Sequence, residues 1–188
     1  MNNRLETETG TLLPLEARPK QAVAAIIVDR QTNLIYTVVE KESHPEYGKE
    51  AGMRTHPMET IDTDRGQTEE EALDQLFDQE VHEKLVRIGA EFIGYYGVDV
   101  AAVKLYLIHV ERNGVSHNGN EDGYNHNVRR DEVTDPRWMK PEDLLLERVR
   151  MGVHEMIEDC FSGRRDVRRE CRPVPLSNPS NGAQNLKY

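Results

Sequence analysis

Residues 22–28, AVAAIIV, form the first unbroken apolar run of the chain. The turn-rich DRQTN interrupts it, and the β-rich LIYTVV follows, so the pattern predicts a β-hairpin. A polar stretch occupies residues 43–66, with His44, Pro45, Gly48, Gly52 and Pro57. Thr68 then fits a helix N-cap, and Glu71 three positions on completes a capping box. Leu73, Leu76, Phe77, Val81 and Leu85 keep helical spacing, with Gly89 as the expected stop. Strand-like runs follow around residues 92–96 and 103–110, separated from the next apolar segment by a Gly-, Asn- and His-rich loop at 113–131.

A short strand is expected to end near Trp138 and Met139. Pro141 suits the first turn of a second helix, where its missing N–H is no loss. Leu144, Leu145, Val149, Val153, Met156 and Ile157 supply the buried face of that helix. Before the hairpin, residues 1–20 read as an arm whose Leu12, Leu13 and Leu15 pack on the domain itself or on a second subunit. From Pro173 the chain reads as a flexible tail. Hairpins mixed with helices in this order predict an α+β domain, with helices covering a mixed sheet.

Composition narrows the function. The formal net charge of −10 opposes broad binding to a phosphate backbone. Arg164, Arg165, Arg168, Arg169 and Arg172 are the local exception. They read either as a grip on an acidic partner or as cations at a helix end, where they suit the dipole. Run 22–28 is too short to span a bilayer, and MNNRLETETG lacks the basic and apolar regions of a secretory signal. Cys160 and Cys171 make neither a disulfide framework nor a zinc motif, and free thiols fit a reducing, cytoplasmic setting.

The stretch HPMETIDTDRGQTEEEALDQLFDQEVHE, with "RGQTEEEAL" leading into the helix and "PRWMKPEDLL" further on, resembles the Nudix superfamily, in particular its ADP-ribose and nucleoside-diphosphate-sugar pyrophosphatase branch. The family motif is G-x5-E-x7-R-E-U-x-E-E-x-G-U, with U aliphatic. In that register Ile61 stands at the first glycine, Gln67 at the loop glutamate and Gln75 at the arginine. Leu76 takes the first helix glutamate, Phe77 the aliphatic position, Gln79 and Glu80 the glutamate pair, His82 the second glycine and Glu83 the last aliphatic position. The resemblance implies the Nudix fold, a mixed β-sheet flanked by helices in an α/β/α sandwich. It divides the chain into an arm (1–20), a Nudix-like domain (21–163) and an Arg-rich segment with tail (164–188). It also implies a homodimer built through the N-terminal strands.

The family's chemistry is metal-assisted hydrolysis of a diphosphate, with magnesium ions held between helix glutamates and substrate phosphates. Magnesium wants octahedral oxygen ligands anchored by carboxylates. Glutamine offers one neutral carbonyl and leucine offers nothing, so Glu80 is the one motif carboxylate in register. It is the candidate catalytic and metal-binding residue. Glu59, Asp62 and Asp64 in the preceding loop, and Glu121 and Asp122 in the long loop, are the acids that could join it. Glu59 and Glu121 are the candidates carried forward as metal ligands. His117 and His126 flank the second pair, as a metal or acid–base group or as ordinary surface residues. Tyr95, Tyr96 and Trp138 are aromatics that either stack on a nucleobase or pack in the sheet; Tyr96 and Trp138 are the candidate substrate contacts. Three functions therefore compete. The first is a Nudix-fold protein with an eroded motif that binds a nucleotide-like ligand or a macromolecular partner. The second is an active magnesium-dependent hydrolase with relocated ligands, and the third an interaction module using the arm and the arginines.

Overall fold

The apolar run at 22–28 becomes the middle of the molecule. In the computed structural model, which describes residues 14–45, 48–98, 100–112 and 132–171, strand β1 (Lys20–Asp29) is buried from Val23 to Asp29. Its alternate side chains feed two separate cores. Val23, Ala25 and Ile27 join one, and Ala24, Ile26 and Val28 join the other. A strand covered on both faces reads as a continuous apolar run, which is why no polar alternation marks it. β2 (Ile35–Glu40) follows through the expected turn, where Asn33 adopts φ 57° and donates its N–H to the Asp29 carbonyl at 2.8 Å.

The polar stretch contains two short strands, β3 (Arg54–Thr55) and β4 (Met58–Thr60). Helix α1 (Glu69–Glu80) comes next, then β5 (Leu85–Val98), β6 (Ala101–Arg112) and β7 (Val133–Met139). Helices α2 (Pro141–Leu144) and α3 (Val153–Phe161) precede the last strand, β8 (Val167–Glu170). The sheet runs β3-β2-β1-β6-β5-β8, with β4 also pairing β1 and β7 pairing β2. It is mixed: β1 is parallel to β6 and β8 to β5, while the other pairs are antiparallel. α1 covers one face through Ala72, Leu73 and Leu76, and α3 covers the other through Val153, Met156 and Ile157. The expected α+β sandwich is what forms.

Three expectations are corrected. α1 ends at Glu80 instead of continuing to Gly89. Val81 is extended at φ −97°, the His82 N–H donates to the Tyr36 hydroxyl at 2.8 Å, and Leu85 already pairs with Arg112 across the β5–β6 ladder. Leu85 satisfies helical spacing by accident; the long antiparallel ladder outweighs that local pattern. The second helix is interrupted between Leu144 and Val153 because this segment pairs with β3. The Arg54 N–H donates to the Arg148 carbonyl at 2.8 Å, and the Arg150 N–H donates to the Arg54 carbonyl at 3.1 Å. Gly152, at φ 90°, then turns the chain into α3.

Third, the segment expected to lie outside the domain beyond residue 163 carries β8. Gly94 to Gly97 pair with Val167 to Glu170, and Cys171 is buried in the α3-side core. At Gly94 a Cβ would meet the Val167 carbonyl oxygen at 2.3 Å, so this close approach needs glycine. Arg168 and Arg169 lie on this strand, whereas Arg164 and Arg165 follow the end of α3, where the Arg164 N–H donates to the Asp159 carbonyl at 3.1 Å. Arg164 and Arg169 reach the fully buried Asp159, at 2.8 and 2.9 Å, and Arg165 pairs with Glu91. Of the arm, Leu15 and Arg18 are buried against the domain, with Arg18 donating to the Ala101 carbonyl at 3.1 Å and pairing with Glu170. Leu12 and Leu13 fall outside the described residues, as does Arg172.

Candidate functional site

The capping box places α1 as read. The Thr68 hydroxyl accepts the Glu71 N–H at 3.2 Å, and the Glu71 carboxylate accepts the Thr68 N–H at 2.7 Å. From that start, Leu76 and Glu80 fall on one face, four residues apart. Both point inward. Leu76 is fully buried among Val23, Ala25, Tyr36 and Ile61, and Glu80 is 9% exposed. The Glu80 carboxylate accepts the Met58 N–H at 2.9 Å, tying the helix end to β4.

That burial decides the electrostatics of Glu80. Loss of solvent raises its pKa well above the ordinary carboxylate value. The Met58 hydrogen bond pulls the other way, the charges of Glu40 and Glu59 add to the rise, and Arg150 opposes them. Around it sits a polar cluster that sequence reading missed. Glu40, itself buried, is held by Lys49 at 2.9 Å and Arg150 at 3.1 Å. Arg54 is buried and donates to Asp135 at 2.5 Å and to the Thr37 hydroxyl at 3.2 Å. His56 is fully buried, and neither ring nitrogen has a hydrogen-bond partner among the described residues. Burial, reinforced by the Arg150 charge, lowers its pKa to about 3, so the ring is neutral. Glu40 and Arg150 are 110 positions apart. The available local signal is the alternation of Arg148, Val149 and Arg150, which suits an extended segment better than a helix.

Beside this buried group runs a chain of amides. The Asp62 N–H donates to Gln67 Oε1 at 2.7 Å, Gln67 Nε2 to Gln75 Oε1 at 2.7 Å, and Gln75 Nε2 to Gln79 Oε1 at 3.3 Å. Gln67 and Gln75 also line an open groove of about 870 Å³, with Lys20, Glu59, Arg65 and Glu71 on its walls. Glu80 is not part of that lining. Of the loop acids, Asp62 accepts the Arg65 N–H at 3.2 Å as the cap of a short turn, and Glu59 accepts the Thr60 N–H at 3.1 Å.

These residues do not fit a magnesium ion. Magnesium needs several exposed oxygen donors with carboxylate anchors. Here the motif's helix positions supply a core leucine, a neutral amide and a buried carboxyl already engaged by a backbone N–H. Among the described residues no group of three or more His, Cys, Asp or Glu side chains is placed to hold a metal. Glu121, Asp122, His117 and His126 lie outside the described residues.

The aromatic candidates are placed differently from the expectation of a stacking platform. Tyr96 is fully buried with its hydroxyl donating to Asp159 at 3.2 Å, so neither ring face is open to a base. Trp138 is half-buried on β7. Its Nε1–H donates to Glu83 at 2.9 Å, its ring meets Tyr36 edge-on at 5.3 Å, and Arg112 lies 5.0 Å from its centroid. Tyr95 packs against Phe92 at 5.2 Å, with Lys104 and Arg168 over its ring. Both cysteines are free and buried. No helix among the described residues is long and apolar enough to cross a membrane.

No family model matches the sequence, and no curated protein matches it either. Solved structures do. The MutT NUDIX hydrolase from Burkholderia pseudomallei is 16% identical, with 74% of this chain and 96% of that one covered at a TM-score of 0.55. The NUDIX domain of Shewanella oneidensis NrtR, solved with ADP ribose, is 11% identical over 84% of this chain and 92% of its own, at 0.52. The C-terminal domain of mouse MUTYH, solved in complex with human PCNA, is 13% identical over 84% and 95%, also at 0.52. These structural similarities, over most of this chain, make its fold the Nudix fold.

Proposed function

We propose that this chain is a Nudix-fold binding protein that takes a nucleotide-like ligand without hydrolysing it efficiently. The observation that carries the reading is the inward turn of α1's motif face. Leu76 is core, and Glu80 is buried against the Met58 N–H. Fold and chemistry are separable, so a scaffold can keep its ligand class after losing its metal anchors. The open groove beside the amide chain is the ligand's place in this reading. Gln67 and Gln75 offer hydrogen bonds, Lys20 and Arg65 supply positive charge for phosphate, and Glu59 and Glu71 suit ribose hydroxyls. The similarity to an ADP-ribose-bound domain supports the ligand class, and the similarity to a PCNA-bound domain makes a protein partner the next candidate.

A second reading keeps hydrolysis, with magnesium held by Glu80 and loop acids. It rests on Glu59, whose charge lies close enough to raise the Glu80 pKa and which also faces the groove. Product release from ADP-ribose, nucleotide sugars and dinucleoside polyphosphates, with magnesium or manganese, separates the two. The expected result is no turnover, with calorimetric binding of at least one of these ligands that does not require the metal. Turnover at ordinary enzyme rates that disappears in Glu80→Gln would overturn the binding reading in favour of the second.

A further inference from the structure

One wall of the groove beside α1 has a hydrogen-bonding polarity fixed from the backbone. The Asp62 N–H can only donate, so the Gln67 amide turns its oxygen to it at 2.7 Å, and the Gln67 backbone N–H returns a bond to the Asp62 carbonyl at 3.0 Å. With that oxygen placed, Gln67 Nε2 donates to the Gln75 oxygen at 2.7 Å, and Gln75 Nε2 to the Gln79 oxygen at 3.3 Å. One end of the row therefore orients every amide in it. A carboxamide has two N–H bonds and two lone pairs on its oxygen. Gln67 and Gln75 each commit one of each to the row, so each keeps one donor and one acceptor, and both line the groove.

The charges on the walls disfavour a polyanion. Glu59, Asp62, Asp64 and Glu71 stand with Lys20 and Arg65, four carboxylates against two cations. Arg65 is already paired with Asp62 at 3.3 Å, so Lys20 is the cation left to meet a ligand among the described lining residues. Without a metal to neutralise it, a diphosphate meets net negative charge here, whereas a neutral ring system does not. In the motif register Gln67 and Gln75 stand at a glutamate and an arginine, so both positions exchange a charge for a neutral amide.

We infer that the groove recognises an adenine-type base edge through Gln67 and Gln75, accepts a single phosphate at Lys20, and disfavours a diphosphate. A glutamine amide matches a donor beside an acceptor, the pattern that adenine presents at its amino group and ring nitrogen. The inference rests on the proposed reading that this groove holds a nucleotide-like ligand, and it assigns the affinity to the base instead of the phosphates.

Calorimetry of the full chain without added metal, using adenosine, adenosine monophosphate, ADP-ribose and ribose 5-phosphate, tests it. Adenosine and its monophosphate should bind at least about threefold more tightly than ADP-ribose at low salt. Raising sodium chloride from about 0.05 to 0.5 M should strengthen ADP-ribose binding, because screening relieves the like-charge repulsion. Ribose 5-phosphate, which lacks the base, should bind about tenfold more weakly than the monophosphate. Gln75→Met should weaken adenosine binding about tenfold, and Gln67→Met repeats the test at the other amide. Lys20→Gln, at an exposed position, should weaken the monophosphate and leave adenosine unchanged. Circular dichroism melts establish that each variant folds. Affinity that climbs from adenosine to ADP-ribose and falls with salt would overturn the inference and leave the nucleotide-binding reading standing. So would adenosine binding that is indifferent to both amide variants. Absence of binding by all four compounds would remove that reading and this inference together.

Discussion

The two ends of α1 are built on different principles. The first turn is secured by its own sequence: Thr68 and Glu71 satisfy each other's neighbouring N–H groups within four residues. The last turn has no such motif. It is held by partners from elsewhere: the Tyr36 hydroxyl of β2 takes the His82 N–H, and the backbone N–H of Met58 in β4 donates to the Glu80 carboxylate. A local cap adds about 1 kcal/mol and is readable from sequence. A tertiary anchor is readable only once the sheet is assembled, and it brings Glu80, the one motif carboxylate in register, indoors.

The largest effect that can test this contrast is at Leu76. Leu76→Glu restores the family carboxylate but places it in a fully apolar pocket. We expect a loss of about 3–5 kcal/mol in denaturant unfolding and no gain in magnesium affinity. A well-folded variant that binds magnesium would show that the face opens and that the inward anchor is weak.

The next effect is on pH dependence. His56 titrates near 3 in the fold against its ordinary 6.5. The unfolded chain therefore binds more protons across that window, and stability falls as pH drops from about 6.5 towards 3, by up to about 1.4 kcal/mol per pH unit. Glu80 acts in the opposite sense: its raised pKa favours the fold at low pH, and that contribution is lost as pH rises above the ordinary carboxylate value. Comparing wild type with His56→Leu isolates the first term. The stability difference should shift in the variant's favour as pH falls, and a difference independent of pH would mean that the imidazole is already partnered or solvated.

The smallest effects compare the two ends directly. Tyr36→Phe removes the acceptor for the His82 N–H and the contact to its Nδ1, at 3.0 Å, and should lower stability by about 1–3 kcal/mol. Thr68→Ala should lower it by about 1 kcal/mol. Equal values would erase the distinction between a local and a tertiary end; a larger loss at Tyr36 sharpens it.

The same distinction explains what was legible beforehand. The apolar run of β1, the capping box and Pro141 at the start of α2 depend on neighbours in the chain, and they were placed from sequence. The end of α1 was not, because Leu85 fits a helical stripe and a strand equally well. β8 was hidden among arginines, and the partner of Arg165, Glu91, lies 74 positions away and comes near only on folding. The candidate site divides likewise. Glu80 could be singled out, but its burial follows from Met58, and its surroundings bring together Glu40, His56 and Arg150 from three distant segments. Sequence spacing could not show that Tyr96 would be sealed in the core, or that Trp138 would be tied to Glu83.

The parallel pairing of β1 with β6 has a consequence for the order of assembly. Lys20 lies opposite Ala101, so the central strand is made well before its partner and completes its ladder only after β6 has emerged. The β1–β2 and β5–β6 hairpins can close through short connections, while the seam between β1 and β6 must wait and bear the loop-closure cost. That seam joins the two hairpins into one sheet and creates the surfaces on which α1 and α3 settle. The step that commits this chain to its fold is therefore a long-range one, and until it occurs both faces of its most apolar strand remain exposed.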